Sequence, residues 1–230
     1  MLSMTSPHRF SGYPHIEAVM SAAADNLPVI EAQYRESLNS QRISDPLLVL
    51  IKAYFGDLRS SLDYLNGNIQ NSSDYFPICN HPNDFSARTK QVAPAVSAVL
   101  ERWQPYKGND WLKWFNVLNN KNKHVTLVPQ TRREMPQTTV SHPAGGSISW
   151  GPGVTFGGGV SVMGVPIAPR TQLPVPNNIV KTERIIWVVF VFDQSGAPTE
   201  LPAGLSALPF LKEILGKVAA VIKEVEAVLP

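Results

Sequence analysis

Apolar residues recur at helical spacing through the first half of this chain and alternate with polar ones through much of the second. Ile16, Val19, Met20, Ala23, Leu27, Ile30, Tyr34 and Leu38 mark a first helical segment, with Pro28 predicting a kink or a split into two short helices. A second stripe, Leu47, Ile51, Tyr54, Phe55, Leu58, Leu62, Leu65 and Ile69, spans residues 45–69. Ser44 or Asp45 suits its N-cap, Pro46 its first helical position, and "NGN" at 66–68 with the Asn/Ser run that follows ends it. Asp84 is placed to cap a third helix over roughly 85–103, which Pro94 would distort. Asn109 or Asp110 opens a fourth, whose stripe is Trp111, Trp114, Phe115 and Leu118.

After His124 the period becomes that of strands. "HVTLVPQ", "MPQTTVSH", "GVSVMGVPI" and "TERIIWVVFVFD" read as extended, the last being apolar on both faces and therefore central in its sheet. A closing helix, 206–228, carries Leu208, Leu211, Leu215, Val218, Ile222, Val225 and Leu229, widened by Ile214, Val221 and Val228. A stripe that broad implies burial on two sides and points to a homodimer through this helix. The expectation is an α+β fold: an antiparallel helical core, a small, mainly antiparallel β-sheet and a long C-terminal helix. Residues 1–13 form a tail, and 14–230 one domain with a helical part (14–124), a β-rich part (125–193) and the C-terminal helix.

Composition narrows the classes. Twenty basic residues against 18 acidic give a formal charge of +2, which makes no global case for nucleic acid or an anionic membrane. One cysteine, Cys79, excludes an internal disulfide and fits a reducing cytoplasm. No apolar run is long enough for a signal or a spanning helix, so a cytoplasmic location without membrane contact is expected. His8, His15, His81, His124 and His142 are scattered without a metal-ligand spacing, and no cofactor or metal is expected. Cys79-Asn80-His81 sets a thiol beside an imidazole but lacks an oxyanion element. The Gly-rich segment 144–164 lacks the ending of a phosphate loop and reads as a hairpin or rim loop.

The unusual chemistry lies in "FNVLNNKNKH" (115–124). At 100° per residue, Asn122 falls within the Trp111/Phe115/Leu118 stripe and Asn119 at its edge. A buried amide without partners costs about 1–3 kcal/mol, so polar groups must answer it. Arg59 and Asp63, four apart on the flank of the 45–69 stripe, are the candidates. Gly56 beside them would leave room for a close neighbour. His124 sits where a helix dipole favours an imidazolium. Lys123, with Lys107, Lys113, Lys121, Arg132 and Arg133, adds a local basic patch able to touch RNA or another phosphate-bearing ligand.

"YFGDLRSSLDYL" (54–65), "FPIC" (76–79), "QPY" (104–106) and "WLKWFNVLNNKNKH" (111–124) together resemble a widespread bacterial family of uncharacterised proteins. The shared positions are Gly56, Asp57, Arg59, Asp63, Asn119, Lys123 and His124. Asn122 stands where that family usually has Asp, and Val125 where it has Arg or Lys. The sequence is more distantly similar to HEPN domains, helical dimers that include metal-independent ribonucleases with an R-x(4–6)-H motif. Val117, Leu118 and Asn119 occupy the positions of that arginine, and Arg9 with His15 matches its spacing only by chance.

Two functions follow. In the first, Arg59, Asp63, Asn119, Asn122 and His124 fix a helix pair in a non-catalytic binding or interaction module. In the second, an HEPN-like ribonuclease of a defence or toxin type, His124 is the acid/base and Arg59 the electrophilic stabiliser.

Overall fold

The computed structural model describes residues 12–40, 42–124, 127, 130–141, 147–150, 161–162, 165–166, 180–190 and 205–229. The chain divides into two compact units, residues 1–131 with 190–230, and residues 132–189.

The first unit is a helical core. α1 (Tyr13–Ser40) runs unbroken through Pro28. The kink or split expected there is not needed to end the helix: Pro28 forfeits one backbone hydrogen bond, and burial of Ala23, Ile30 and Tyr34 on either side holds the helix against its neighbours. α2 (Asp45–Gln70) begins as expected, with the Ser44 hydroxyl accepting the Leu47 N–H and Pro46 in the first turn. It runs through "NGN" and stops where the Asn/Ser run begins, at Asn71, which takes the left-handed conformation (φ 49°) that asparagine tolerates.

The third predicted helix is two. α3 (Pro82–Arg88) and α4 (Pro94–Arg102) are separated because Pro94 has no N–H to continue the ladder and drives Ala93 into extended geometry (ψ 138°). Asp84 lies inside α3; the N-cap is His81, followed by Pro82. A single 3-10 turn at Pro105–Lys107 precedes α5 (Asp110–His124). α5 buries Trp111, Leu112, Phe115, Leu118, Asn119 and Asn122, so Leu112 belongs to its stripe as well.

α6 (Ala207–Val228) begins after Ser206. Its buried face is Ala207, Phe210, Leu211, Ile214, Val218, Val221, Ile222 and Val225, packed against α1, α2, α4 and α5 of the same chain. The broad stripe read as a dimer surface is therefore covered from within. Leu208, Leu215, Val228 and Leu229 flank that face and are half-buried. The Tyr54 hydroxyl donates to the Leu211 carbonyl (2.7 Å), tying α2 to α6. Phe55 meets Phe115 and Phe190 at centroid distances of 5.8 and 6.2 Å, and Phe190 meets Phe210 at 6.5 Å, which places an aromatic cluster at the centre of the unit.

The second unit holds strand segments. β1 (Gln130–Ser141) pairs antiparallel with β2 (Ser147–Trp150), Thr138 opposite Trp150 and Ser141 opposite Ser147. Short β3 (Ser161–Val162) and β4 (Val165–Pro166) pair with each other. β5 (Val180–Phe190) lies next to β1, so among the described strands the middle place goes to β1 and not to the apolar β5. An all-apolar run reports burial on both faces, which packing other than strand pairing also supplies. Most of "HVTLVPQ", of the N-terminal tail and of the Gly-rich segment, together with His142, lies outside the described residues.

Candidate functional site

The polar cluster forms where α2, the loop after it and α5 come together. Arg59 and Asp63 stand one turn apart on α2, and Phe55 against Phe115 brings α5 alongside. Arg59 is 8% exposed. Its Nε donates to Asp63 Oδ2 (3.2 Å), and its Nη2 pairs with Asp63 Oδ1 (3.0 Å) in a two-pronged ion pair. Nη2 also donates to the Phe76 carbonyl (3.1 Å), and Nη1 to Asn116 Oδ1 on α5 (3.4 Å). The guanidinium lies 5.9 Å from the Tyr75 ring centroid. Asp63 Oδ1 accepts the Phe76 N–H as well (2.9 Å), so this i,i+4 pair holds the following loop as much as it holds itself.

Two further buried amides complete the arrangement. Gln104 is wholly buried; its Oε1 accepts the Cys79 N–H (2.9 Å) and its Nε2 donates to the carbonyls of Pro77 and Leu100 (3.1 Å each). Asn66, also wholly buried, donates to the carbonyls of Asp74 (2.9 Å) and Tyr75 (3.4 Å), while Gln70 donates to its Oδ1 (2.8 Å). The "FPIC" loop is thereby pinned at Phe76 by α2 and at Pro77 and Cys79 by "QPY". A loop with so many backbone groups away from water needs such partners.

Of the residues singled out in the sequence, Arg59, Asp63, Asn119 and Lys123 line one cleft of about 360 Å³, together with Tyr75, Arg88 and Asn116. Asn119 is 2% exposed. Asn122 is buried and does not line the cleft. His124 closes α5, and its side chain lies outside the described residues, as do those of Arg132 and Arg133.

Gly56 does not serve the close approach expected of it: beyond its chain neighbours and its own helix backbone, no atom of the described residues lies within 4 Å of where its Cβ would be. Asn116, Asn66 and Gln104 were not anticipated as network members. The signal was present for one of them. Asn66 stands four residues after Leu62 on the α2 stripe, the same placement that marked Asn122, but its "NGN" setting reads as a helix stop.

Burial raises the Asp57 carboxyl above its ordinary range. Burial also pushes the Cys79 thiol up, with Arg88 opposing and Asp84 adding to the shift. A thiol held protonated and 4% exposed is a poor nucleophile, whatever stands next to it in sequence. His81 is exposed. Among the described residues no group of three or more His, Cys, Asp or Glu is placed to hold a metal ion, and no helix is long and apolar enough to cross a membrane. No protein-family model, curated protein or solved structure matches this chain.

Proposed function

We propose that this chain is a non-catalytic binding module in which the Arg59–Asp63 pair, with Asn116, bolts α2 to α5 and to the 71–80 loop. One observation carries this reading: the Arg59 guanidinium, 8% exposed, is committed to Asp63, Phe76 and Asn116 within its own chain. An electrophilic catalyst needs N–H groups free to meet charge as it develops. A guanidinium with four of its five N–H groups given to a carboxylate, a carbonyl and an amide acts as a structural tie instead. This argues against the ribonuclease reading, in which Arg59 would stabilise a phosphorane.

The proposed kinship with the bacterial family gains support from the convergence of its four motifs on one connected network. The α2 segment supplies Arg59 and Asp63, "FPIC" the backbone they hold, "QPY" Gln104, and the α5 segment Asn116. We infer likewise an α+β class with an antiparallel helical core, supported by the paired register of β1 and β2. The exposed side of α6 carries Lys212, Glu213 and Lys223, so a homodimer through this helix forms no part of the proposal.

The test joins stability with activity. Wild type should leave structured and single-stranded RNA intact without metal, and Arg59→Ala should lower the melting temperature. Metal-independent cleavage that is lost in both His124→Ala and Arg59→Ala, with each variant still folded, overturns the proposal in favour of the ribonuclease.

A further inference from the structure

The lock leaves something over. Among the described residues Asp63 is the one carboxylate lining the cleft, and Arg59 neutralises it. Arg88 and Lys123 line the same cleft, are exposed, and form no ion pair with a described residue. The described lining is therefore cationic. Asn119, 2% exposed, adds an amide to the wall.

Tyr75 supplies the second half of the recognition. It is 71% exposed, the most exposed large hydrophobic residue among the described residues. Exposed aromatics on loops are usually mobile, but here the backbone is tied on either side: Asn66 holds the carbonyls of Asp74 and Tyr75, and Asp63 holds the N–H of Phe76. One side of the ring receives the Arg59 guanidinium, leaving the ring's other face to water. A second depression, lined by Gln70, Lys90 and Gln91 among others, shares Tyr75 and Arg88 with the first. A ring on a tied backbone thus borders both hollows, the second of which sets Asp74 beside Arg88 and Lys90.

On the reading of the chain as a binding module, we propose that this cleft takes a nucleotide, with its phosphate on Arg88 and Lys123 and its base stacked on Tyr75. Cations that carry no internal partner suit the phosphate, an open aromatic face suits any base without sequence preference, and a cleft of about 360 Å³ is of small-ligand size. Asn119 would meet a ligand oxygen or ring nitrogen. The same chemistry is offered by a free mononucleotide and by a single RNA strand running on towards Lys90.

The full-length chain is titrated calorimetrically with AMP and with inorganic phosphate, and by fluorescence anisotropy with a short labelled oligouridylate. Wild type should bind AMP saturably. Arg88→Ala and Lys123→Ala should each weaken AMP roughly tenfold or more, as loss of a charged contact does. Tyr75→Ala should weaken AMP while leaving phosphate unchanged, and Asn119→Ala should weaken AMP. Arg88, Lys123 and Tyr75 are exposed, so these three variants should melt with wild type. An oligouridylate that binds more tightly than AMP, with a steeper salt dependence, assigns the site to a strand; equal affinities assign it to the free nucleotide. Absence of saturable binding to AMP and oligouridylate overturns the inference, as does binding that Arg88→Ala, Lys123→Ala and Tyr75→Ala all leave intact. Those failures leave the lock standing if Asp63→Ala still destabilises the fold. An Asp63→Ala variant that melts with wild type removes the lock, whatever binds.

Discussion

Replacing Asp63 with alanine should cost the fold about 3 kcal/mol, although Asp63 sits at the surface end of its pair. The carboxylate does three things: it accepts Arg59 Nε, pairs with Arg59 Nη2, and accepts the Phe76 N–H at 2.9 Å. Its removal strands a guanidinium whose side chain is 9% exposed and leaves a backbone donor without its acceptor. Breaking a buried ion pair from one side costs about 3–5 kcal/mol, and an orphaned buried donor about 1–3 kcal/mol. Asp63 is itself 20% exposed, so water entering the vacated space rescues part of both losses and sets the total near the lower end. For a chain of this size, about 3 kcal/mol lowers the melting temperature by roughly 6–12 °C. Urea unfolding and scanning calorimetry of wild type, Asp63→Ala, Asp63→Asn and Arg59→Met/Asp63→Leu measure it. Asp63→Asn keeps an acceptor for Phe76 and should lose about half as much. The double variant removes both charges and should be milder than Asp63→Ala. A loss below about 1 kcal/mol in Asp63→Ala would show the pair to be a surface contact of the ordinary weak kind.

Three other outcomes follow from the same geometry. Gln104→Ala removes the acceptor of the buried Cys79 N–H and should destabilise by about 2 kcal/mol; faster thiol modification and faster amide exchange at Cys79 are the readouts, and protection equal to wild type would count against the pin. Gly56→Ala and Gly216→Ala meet open space in helix interiors and should each stabilise by about 0.5–1 kcal/mol in urea unfolding; a destabilised variant would mean that the side chain meets an obstacle. Asp57 has a folded-state pKa raised by burial above its ordinary 3.8, so its ionised form opposes folding. That cost is fully present above the raised value and vanishes as pH falls through it to below 3.8. Asp57→Asn should therefore raise the melting temperature at pH 7 and lose this advantage near pH 3, which paired melting curves at the two pH values decide.

Periodicity and caps alone were enough to place α2 and α6 to within a residue or two, because the buried stripe, the Ser44 cap and Pro46 are all written within a turn of where they act. The same local reading put Asn119 and Asn122 on the buried face of α5 and paired Arg59 with Asp63, four residues away on one helix. A stripe reports that a face is covered, but not by what. α6 looked like an interface because its stripe is broad, yet four helices of its own chain cover it. Pro28 and Pro94 carry one chemistry and met opposite outcomes: flanking burial carried α1 through the first, and the chain broke at the second. The contacts that make the site are longer in range. Arg59 reaches Asn116 across 57 residues and Gln104 reaches Cys79 across 25, and a hydrogen bond over such a distance leaves no periodic trace. Only the folded chain decided which amide would meet which carbonyl, and which cations would be left facing open water.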